Sequence, residues 1–235
     1  MISTSVPVHL AQGSGSTMLR NIDLTGPAGR LEALLNEGAT DAPYAALVCH
    51  PHPQGGGTMH NKVVYHAMKA LNAPDFGLRW PVLRFNFRGT GLSQGKHDGS
   101  AESGDVLAAL EWLENEYRRP LVVVGFSFGA AMALLACCSK ANGHPKPSAI
   151  IALGLPTAAL NRQYNYSFLH SCSLPKLFLS GDRDQYAPAE DLQRVAATTA
   201  EPKKLVLLPG ADHFFAGQLQ AMQNTIASWL KEQVQ

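Results

Sequence analysis

A serine in a glycine-flanked turn is the first candidate for chemistry in this chain. The motif Gly125-Phe126-Ser127-Phe128-Gly129 separates an apolar, β-branched run at 121–124 from a small-residue segment at 130–138 with high helix propensity. A strand that turns directly into a helix strains the middle residue and brings its neighbours so close that a Cβ would clash, which explains both glycines. Ser127 would then stand exposed at the helix N-terminus, where N–H groups favour negative charge. We predict that Ser127 is a nucleophile.

A second Gly-x-Ser-x-Gly motif occupies residues 91–95 and contains Ser93. It also follows a strand-like run, at 82–87, but the residues after it (Gln-Gly-Lys-His-Asp-Gly-Ser) have the composition of a loop. No helix is predicted to begin at Ser93, so nothing there would stabilise an oxyanion. The structural context therefore favours Ser127 over Ser93 as the nucleophile.

A serine hydroxyl is a weak nucleophile at neutral pH and needs an adjacent base. His213, in Gly-Ala-Asp-His after the last predicted strand, is the candidate base, and Asp184, after Leu-Phe-Leu-Ser-Gly, is the candidate carboxylate that orients it. The order Ser, Asp, His along the chain is the one expected when the serine lies on such a turn. Asp182 in the same loop and Asp212 beside His213 remain alternatives, because a carboxylate in such a loop can simply close a turn.

The elements that would position these side chains alternate between strands and helices. An antiparallel hairpin is predicted over 17–24 and 30–36, followed by strands at 44–49, 81–87, 121–124, 148–155, 176–179 and 204–208, and by helices at 60–72, 102–117, 130–138, 188–198 and 218–235. This alternation predicts an α/β fold with a mostly parallel, twisted sheet of about seven or eight strands and helices on both faces. The polar loops then gather at the carboxyl ends of the strands. We expect one domain over 1–235, with 1–16 as a loose N-terminal arm.

Composition excludes several classes of function. Of the 235 residues, 46% are hydrophobic and 16% charged, and the net charge is +1 without a basic block, so neither nucleic acid nor a membrane is an expected partner. The N-terminus lacks a secretory pattern and no apolar run has membrane-spanning length, which predicts a cytoplasmic protein. The four cysteines show no metal or redox spacing, and we expect all of them (Cys49, Cys137, Cys138 and Cys172) to be reduced core thiols.

A histidine-rich segment offers a competing metal hypothesis. His50 and His52 stand at i, i+2, with His60 and His66 nearby, and two histidines at that spacing can bind zinc. No further Asp-His pair completes a hydrolytic metal site, and the prolines between these histidines are typical of loop shaping. We therefore predict no metal and no other cofactor.

Three segments together resemble the α/β-hydrolase superfamily, and more narrowly a lidless, carboxylesterase-like branch of serine hydrolases. They are Cys-His-Pro-His-Pro-Gln-Gly-Gly-Gly-Thr-Met-His-Asn-Lys-Val-Val-Tyr (49–65), Leu-Arg-Phe-Asn-Phe-Arg-Gly-Thr-Gly-Leu-Ser-Gln-Gly (83–95) and Gly-Asp-Arg-Asp-Gln-Tyr-Ala-Pro (181–188). The likeness runs from about residue 28 to the C-terminus. It implies the α/β-hydrolase fold, places the catalytic acid on Asp184 rather than Asp182, and implies a structural loop for Ser93.

Two departures from this family shape the expected site. Many relatives have His-Gly after the third strand, whereas this chain has His50-Pro51-His52-Pro53, and proline has no N–H. The second oxyanion donor, beside the Phe128 N–H, must then come from His52 or Gln54, and we favour His52. The segment between Leu155 and Pro175 is too short for a cap domain. Its aromatic residues (Tyr164, Tyr166 and Phe168) either line a substrate pocket or merely cover the sheet edge.

The resemblance implies a serine hydrolase that cleaves carboxylic esters with small or short acyl groups through an acyl-enzyme intermediate. The partner would be a small-molecule ester, and the oligomeric state stays open. Thioesterase or amidase activity would use the same residues. A non-catalytic binding protein on the same scaffold is the alternative of another class.

Overall fold

The computed structural model describes residues 18–139, 146–159 and 162–233, so the predicted N-terminal arm (1–16) lies outside the described residues. Eight strands form the main sheet: β1 (Leu19–Gly26), β2 (Gly29–Asn36), β3 (Ala45–Cys49), β4 (Val82–Phe85), β5 (Leu121–Phe126), β6 (Ala149–Leu153), β7 (Lys176–Gly181) and β8 (Lys203–Leu208). Five α-helices accompany them: α1 (Lys62–Asn72), α2 (Glu102–Tyr117), α3 (Phe128–Cys138), α4 (Ala189–Thr198) and α5 (Leu219–Gln233).

The sheet is mostly parallel, as predicted. Its strand order is β1-β2-β4-β3-β5-β6-β7-β8. The β1–β2 hairpin is antiparallel and joins β4 antiparallel, whereas every pair from β4 to β8 is parallel. The six parallel strands therefore direct their carboxyl ends, and the loops that follow them, to the same edge of the sheet.

Helices cover both faces of the sheet because the central strands are apolar on both sides. Along β5, Val122 and Val124 pack toward α1 and α5, while Leu121 and Val123 pack toward α2, α3 and α4. Strands β3, β5 and β6 are buried along their whole length. This is the pattern of a sheet enclosed by crossover helices, and it fixes the sheet as a rigid base for the loops at its edge.

Two helix starts differ from the predicted bounds by two residues each, for local reasons. Helix α1 begins at Lys62 rather than at residue 60, because the Asn61 side chain accepts a hydrogen bond of 2.9 Å from the Val63 N–H and so caps the helix. Helix α3 begins at Phe128 rather than at residue 130, directly after Ser127. The turn itself starts this helix, despite the low helix propensity of the Phe-Gly pair.

The segment that could have carried a cap domain is short. In its described part, residues 155–159 and 162–175 hold a two-residue ladder (Ala158–Ala159 with Arg162–Gln163) and one 3₁₀ helix, Ser167–Ser171. The predicted absence of a cap domain agrees with this arrangement. In the described part of the chain, none of the helices combines the length and the apolar character needed to cross a membrane.

The expectation of four reduced cysteines is wrong for one pair. Cys138, at the end of α3, is disulfide-bonded to Cys172, just after the 3₁₀ helix, although 34 residues separate them in sequence. Cys49 and Cys137 are free thiols, and burial raises the pKa of Cys137 to about 12. The spacing of the cysteines does not indicate this pair, because only the packing of the 3₁₀ helix against α3 brings the two residues together.

Candidate active site

The turn between β5 and α3 has the strained geometry that the sequence predicts. Ser127 has φ 53° and ψ −119°, a conformation that non-glycine residues rarely adopt. A Cβ on Gly125 would lie 2.5 Å from the backbone of Ala130, and a Cβ on Gly129 would lie 2.5 Å from the carbonyl oxygens of Cys49 and His50. Both glycines are therefore required by close backbone contact, and the turn packs α3 against the end of β3.

Hydrogen bonds fix this turn in place and leave donors at its tip. The Ser127 N–H donates to the Leu153 carbonyl at 2.8 Å, which ties the turn to β6. The Ser127 carbonyl accepts from Ala130 and Ala131, the first intrahelical bonds of α3. Within the described part of the chain, the Phe128 N–H has no protein acceptor. A free N–H at a helix N-terminus is a suitable donor to an oxyanion.

His213 and Asp184, predicted from separate loops, are in direct contact. His213 Nδ1 lies 2.8 Å from Asp184 Oδ2, and both residues are 3% exposed. Asp184 lies in the loop after β7, and His213 in the loop after β8, the neighbouring parallel strand. Adjacent strand ends therefore bring together two residues that are 29 positions apart in sequence.

Several hydrogen-bond donors stabilise the ionised form of Asp184. Besides the contact with His213, its Oδ2 accepts from the Ser180 hydroxyl at 2.9 Å, and its Oδ1 accepts from the N–H groups of Tyr186 at 2.8 Å and Ala187 at 3.0 Å. Burial opposes ionisation, but the hydrogen bonds and the neighbouring His213 outweigh it, so the pKa of Asp184 lies below its usual value. An ionised Asp184 fixes the His213 proton on Nδ1 and leaves Nε2 as a base.

The two alternative aspartates have structural contacts instead. Asp182 is exposed and accepts from the Gly210 N–H at 2.7 Å, which links the loops after β7 and β8. Asp212 accepts from the N–H groups of Phe214 at 3.0 Å and Ala216 at 2.9 Å and so closes its own turn. Neither carboxylate has a described contact with His213.

Three aromatic rings surround the His213 imidazole. The ring centroids of Phe126, Tyr186 and Phe214 lie 5.0 Å, 4.7 Å and 5.2 Å from that of His213. Rings packed this closely limit the orientation of the imidazole and bury it beside Asp184.

Ser127 and His213 line the same cavity at the carboxyl edge of the sheet. The part of this cavity bounded by described residues has a volume of about 110 Å³, and its lining comprises Pro51, His52, Gly55, Asn61, Ser127, Tyr186, His213 and Phe214. The sequence patterns do not assign Asn61, Tyr186 or Phe214 to the site. The 50% exposure of Phe214, unusual for a large aromatic residue, marks it as a residue at the cavity mouth.

The loop after β3 contains the other expected oxyanion donor. The Gln54 N–H donates to His52 Nδ1 at 3.2 Å, whereas the His52 N–H has no protein acceptor within the described residues. The His52 ring also packs on Phe128, with centroids 4.9 Å apart. Of the two alternatives left open by the sequence, these contacts favour His52.

His50 has a structural role within this loop. Its Nδ1 lies 2.6 Å from the Pro51 carbonyl, and its Nε2 accepts from the Phe87 N–H at 3.0 Å. Burial lowers its pKa to about 4. Because both ring nitrogens are already engaged, His50 cannot be a metal ligand in this conformation. Among the described residues, no group of three or more His, Cys, Asp or Glu side chains could hold a metal ion.

Ser93 is buried in a structural loop. Its hydroxyl donates to the Asn86 carbonyl at 2.7 Å and accepts from the Glu32 N–H at 3.0 Å, so it links β2 to the loop after β4. The second Gly-x-Ser-x-Gly motif thus has the structural role that the resemblance implied.

The three aromatic residues predicted for a pocket do not line the cavity at Ser127. Tyr166 is buried and its hydroxyl donates to the Pro156 carbonyl at 2.6 Å. Tyr164 stacks on Tyr166, and both Tyr164 and Phe168 pack against the core on the α2–α3 side of the sheet. These contacts correspond to the alternative interpretation, in which the aromatics cover the sheet.

Comparison with known proteins agrees with this fold. Residues 45–235 match the family described as alpha/beta hydrolase domain. RP471 of Rickettsia prowazekii (strain Madrid E) is 36% identical over 217 residues, which cover 89% of this chain and 87% of RP471. XC6422 from Xanthomonas campestris, described as an a/b serine hydrolase without lid, superposes with a TM-score of 0.80 at 29% identity, covering 94% of this chain and 97% of that one. An alpha-beta serine hydrolase homologue from Coxiella burnetii gives a TM-score of 0.79 at 31% identity, with coverage of 93% and 100%. The resemblance found in the sequence motifs is confirmed, and this chain belongs to the α/β-hydrolase domain family.

Proposed function

We propose that this protein is a serine hydrolase that cleaves small carboxylic esters through an acyl-enzyme intermediate. The observation that supports it best is the buried His213–Asp184 pair, whose imidazole faces the same cavity as Ser127. A nucleophile, a base and a carboxylate that orients the base are the three groups that acyl transfer requires. The similarity to proteins described as serine hydrolases supports the same reaction class.

In the proposed mechanism, Ser127 Oγ attacks the ester carbonyl while His213 Nε2 accepts the hydroxyl proton. Asp184 keeps the other imidazole proton on Nδ1 and stabilises the imidazolium. His213 then returns its proton to the leaving alcohol, which departs and leaves the acyl group on Ser127. A water molecule, deprotonated by His213, then attacks the acyl carbon; the bond from that carbon to Ser127 Oγ breaks, His213 returns the proton to Oγ, and the acid leaves.

The negative charge that develops on the carbonyl oxygen needs hydrogen-bond donors. The N–H groups of Phe128 and His52 are the proposed pair, because neither has a protein acceptor within the described residues. Phe128 begins α3, so the helix dipole adds to its effect. In comparable sites, one such donor lowers the activation free energy by about 3 kcal/mol.

The volume and the lining of the cavity favour small, uncharged substrates. Its described part has a volume of about 110 Å³, whereas sites for drug-sized ligands hold roughly 300–1,000 Å³. No Asp, Glu, Lys or Arg side chain is among its described lining residues. His213 must protonate the leaving group, so the alcohol side of the ester would lie in this cavity, against Phe214 and Tyr186. Thioesters and amides would use the same groups.

A labelling and turnover experiment tests this proposal. We expect the wild-type protein to react with a fluorophosphonate probe and to hydrolyse p-nitrophenyl acetate, and Ser127→Ala to do neither. Ser93→Ala is the control, which we expect to label at the wild-type level when folded. A wild-type protein that neither labels nor hydrolyses any short ester would favour the alternative of a non-catalytic binding protein.

A further inference from the structure

A second histidine–carboxylate pair lies close to the turn that carries Ser127. His97 Nδ1 is 2.7 Å from Glu102 Oε1, and the Glu102 side chain is fully buried. Glu102 also accepts from the N–H groups of Asp98 and Gly99, each at 2.8 Å. Since Glu102 is the first residue of α2, its bonds to these two N–H groups tie the backbone beside His97 to an element that packs on the sheet. The His97 ring is in close contact with the carboxylate, but within the described residues its Nδ1 has no hydrogen-bond partner.

His97 contacts the two residues whose N–H groups are the proposed oxyanion donors. Its ring centroid lies 4.7 Å from that of His52 and 5.5 Å from that of Phe128, both in edge-to-face arrangements. His52 and Phe128 also pack on each other, with centroids 4.9 Å apart. The three rings therefore form one cluster, and His97 is the member that also lies against the buried Glu102 carboxylate.

This cluster connects the loop after β3 with the start of α3. Within the described residues, no backbone hydrogen bond joins these two segments at the cluster. His52 belongs to the loop after β3 and Phe128 to the start of α3, so the distance between the two N–H groups depends on how these segments pack. A displacement of one ångström in a catalytic group is enough to lower turnover strongly. The His97 ring is placed where it can prevent such a displacement.

We propose that His97 is a positioning residue whose ring holds the His52 and Phe128 N–H groups in register for the oxyanion. The inference rests on the proposed function, because it assigns a role to those two donors. His97 acts through ring packing and transfers no proton. In the alternative interpretation, Glu102 only closes the loop at residues 98–99, and the His97 ring fills space without affecting the position of the two N–H groups.

Three variants separate these interpretations in steady-state hydrolysis of p-nitrophenyl acetate. We expect His97→Ala to lower kcat at least 10-fold with KM within twofold of wild type, since the donors act mainly in the transition state. His97→Phe keeps a ring in the cluster, and we expect it to recover kcat to within about threefold of wild type. His170→Ala removes an exposed histidine outside the cluster and should leave both constants unchanged. A His97→Ala protein with kcat within twofold of wild type would overturn the proposal.

A second measurement does not require catalysis. In weakly aligned ¹⁵N-labelled protein, we expect His97→Ala to change the one-bond ¹⁵N–¹H residual dipolar couplings of His52 and Phe128, which report the orientation of each N–H bond and do not depend on the ring current of the deleted imidazole. His97→Phe and His170→Ala should leave these couplings at their wild-type values. Unchanged couplings of His52 and Phe128 in a folded His97→Ala protein would contradict the positioning role. If wild type hydrolyses no ester, the proposed function fails, yet the couplings still decide whether His97 positions these two groups.

Discussion

Gly154 lies directly against the His213 imidazole. A Cβ at residue 154 would stand 3.1 Å from both Nδ1 and Cε1 of His213 and 3.3 Å from Asp184 Oδ2. Gly154 follows β6 with φ +51°, and its N–H donates to the Leu179 carbonyl at 2.9 Å. The absence of a side chain at this position therefore leaves the space that the His213–Asp184 pair occupies.

We expect Gly154→Ala to impair turnover far more than its effect on stability explains. A positive φ costs an alanine about 1–2 kcal/mol, and here the added methyl also displaces His213. We predict a loss of at least 10-fold in kcat for p-nitrophenyl acetate. Gly217→Ala is the matched control, because Gly217 has φ +72° and a Cβ at that position would meet nothing within 4 Å. It should lose similar stability in urea unfolding and keep its activity; equal kcat in both variants would refute the steric argument.

The two aspartates of the loop after β7 should respond very differently to substitution by asparagine. Asp184→Asn removes the charge that orients His213, and by analogy with other serine triads we expect kcat to fall about 10⁴-fold. Asp182→Asn keeps an acceptor for the Gly210 N–H and should retain kcat within a few-fold of wild type. Initial rates of the two purified variants, measured side by side, decide between them. Loss of activity in Asp182→Asn alone would reverse the assignment.

His50 makes stability depend on pH. Burial lowers its pKa in the folded protein to about 4, whereas the unfolded chain binds a proton near pH 6.5. Its stabilising contribution is therefore complete above about pH 6.5 and is lost as the pH falls toward 4, with a loss of about 2 kcal/mol between pH 7.5 and pH 5.

The variant that checks this contribution is His50→Gln, since glutamine retains an acceptor for the Phe87 N–H. Urea unfolding at pH 7.5 and pH 5 should show a smaller pH-dependent loss of unfolding free energy in His50→Gln than in wild type. His170→Gln, at an exposed position, should follow wild type. An unchanged difference between the two pH values in His50→Gln would assign the pH dependence to other groups.

Phe214 should affect substrate binding more than folding. It lines the cavity with Ser127 and is 50% exposed, so replacing it removes the proposed contact with the leaving alcohol and little of the core. We predict that Phe214→Ala raises KM severalfold for phenyl acetate, changes KM for ethyl acetate less, and shifts the melting temperature little. Leu92→Ala, another exposed apolar position, is the control. Equal changes in KM for the two esters would argue against a contact between Phe214 and the alcohol group.

The disulfide between Cys138 and Cys172 predicts how many thiols the unfolded chain presents. Alkylation in denaturant without a reductant should modify Cys49 and Cys137 only, and mass spectrometry should detect the linked peptides. In the native protein, both free thiols should react slowly, because burial raises their pKa values and restricts access. Four modified cysteines in denaturant would show instead that all four are reduced thiols.

Local sequence patterns predict the eight main strands and the five α-helices of the fold. Helix α2 occupies Glu102–Tyr117, the range predicted from Val106, Leu110 and Leu113 at helical spacing. The central strands were found as short apolar runs, because strands covered on both faces have no polar side. The loops after β5, β7 and β8 could be placed at one edge of the sheet, since parallel strands end on the same side.

Contacts between distant segments carried no such signal. The cavity lining at Tyr186 and Phe214, the His97–Glu102 pair and the disulfide all depend on how loops pack once the sheet is complete. The aromatic residues at 164–168 illustrate the same limit. The sequence pattern of a hydrophobic residue in a loop is the same whether its side chain faces a ligand or the core. Asp184 could be separated from Asp182 only by resemblance to a family, and the hydrogen bonds of the two residues now give the physical reason.

The order of the strands along the chain also determines when the candidate site can form during protein synthesis. The loops with Ser127 and Asp184 follow β5 and β7, but His213 follows β8, the edge strand that joins the sheet last in sequence. A nascent chain that ends near Pro202 would contain the proposed nucleophile and carboxylate but not the proposed base. Since a domain folds as a unit, the proposed hydrolytic activity would arise in one late step, and ribosome-bound precursors would be inert toward esters.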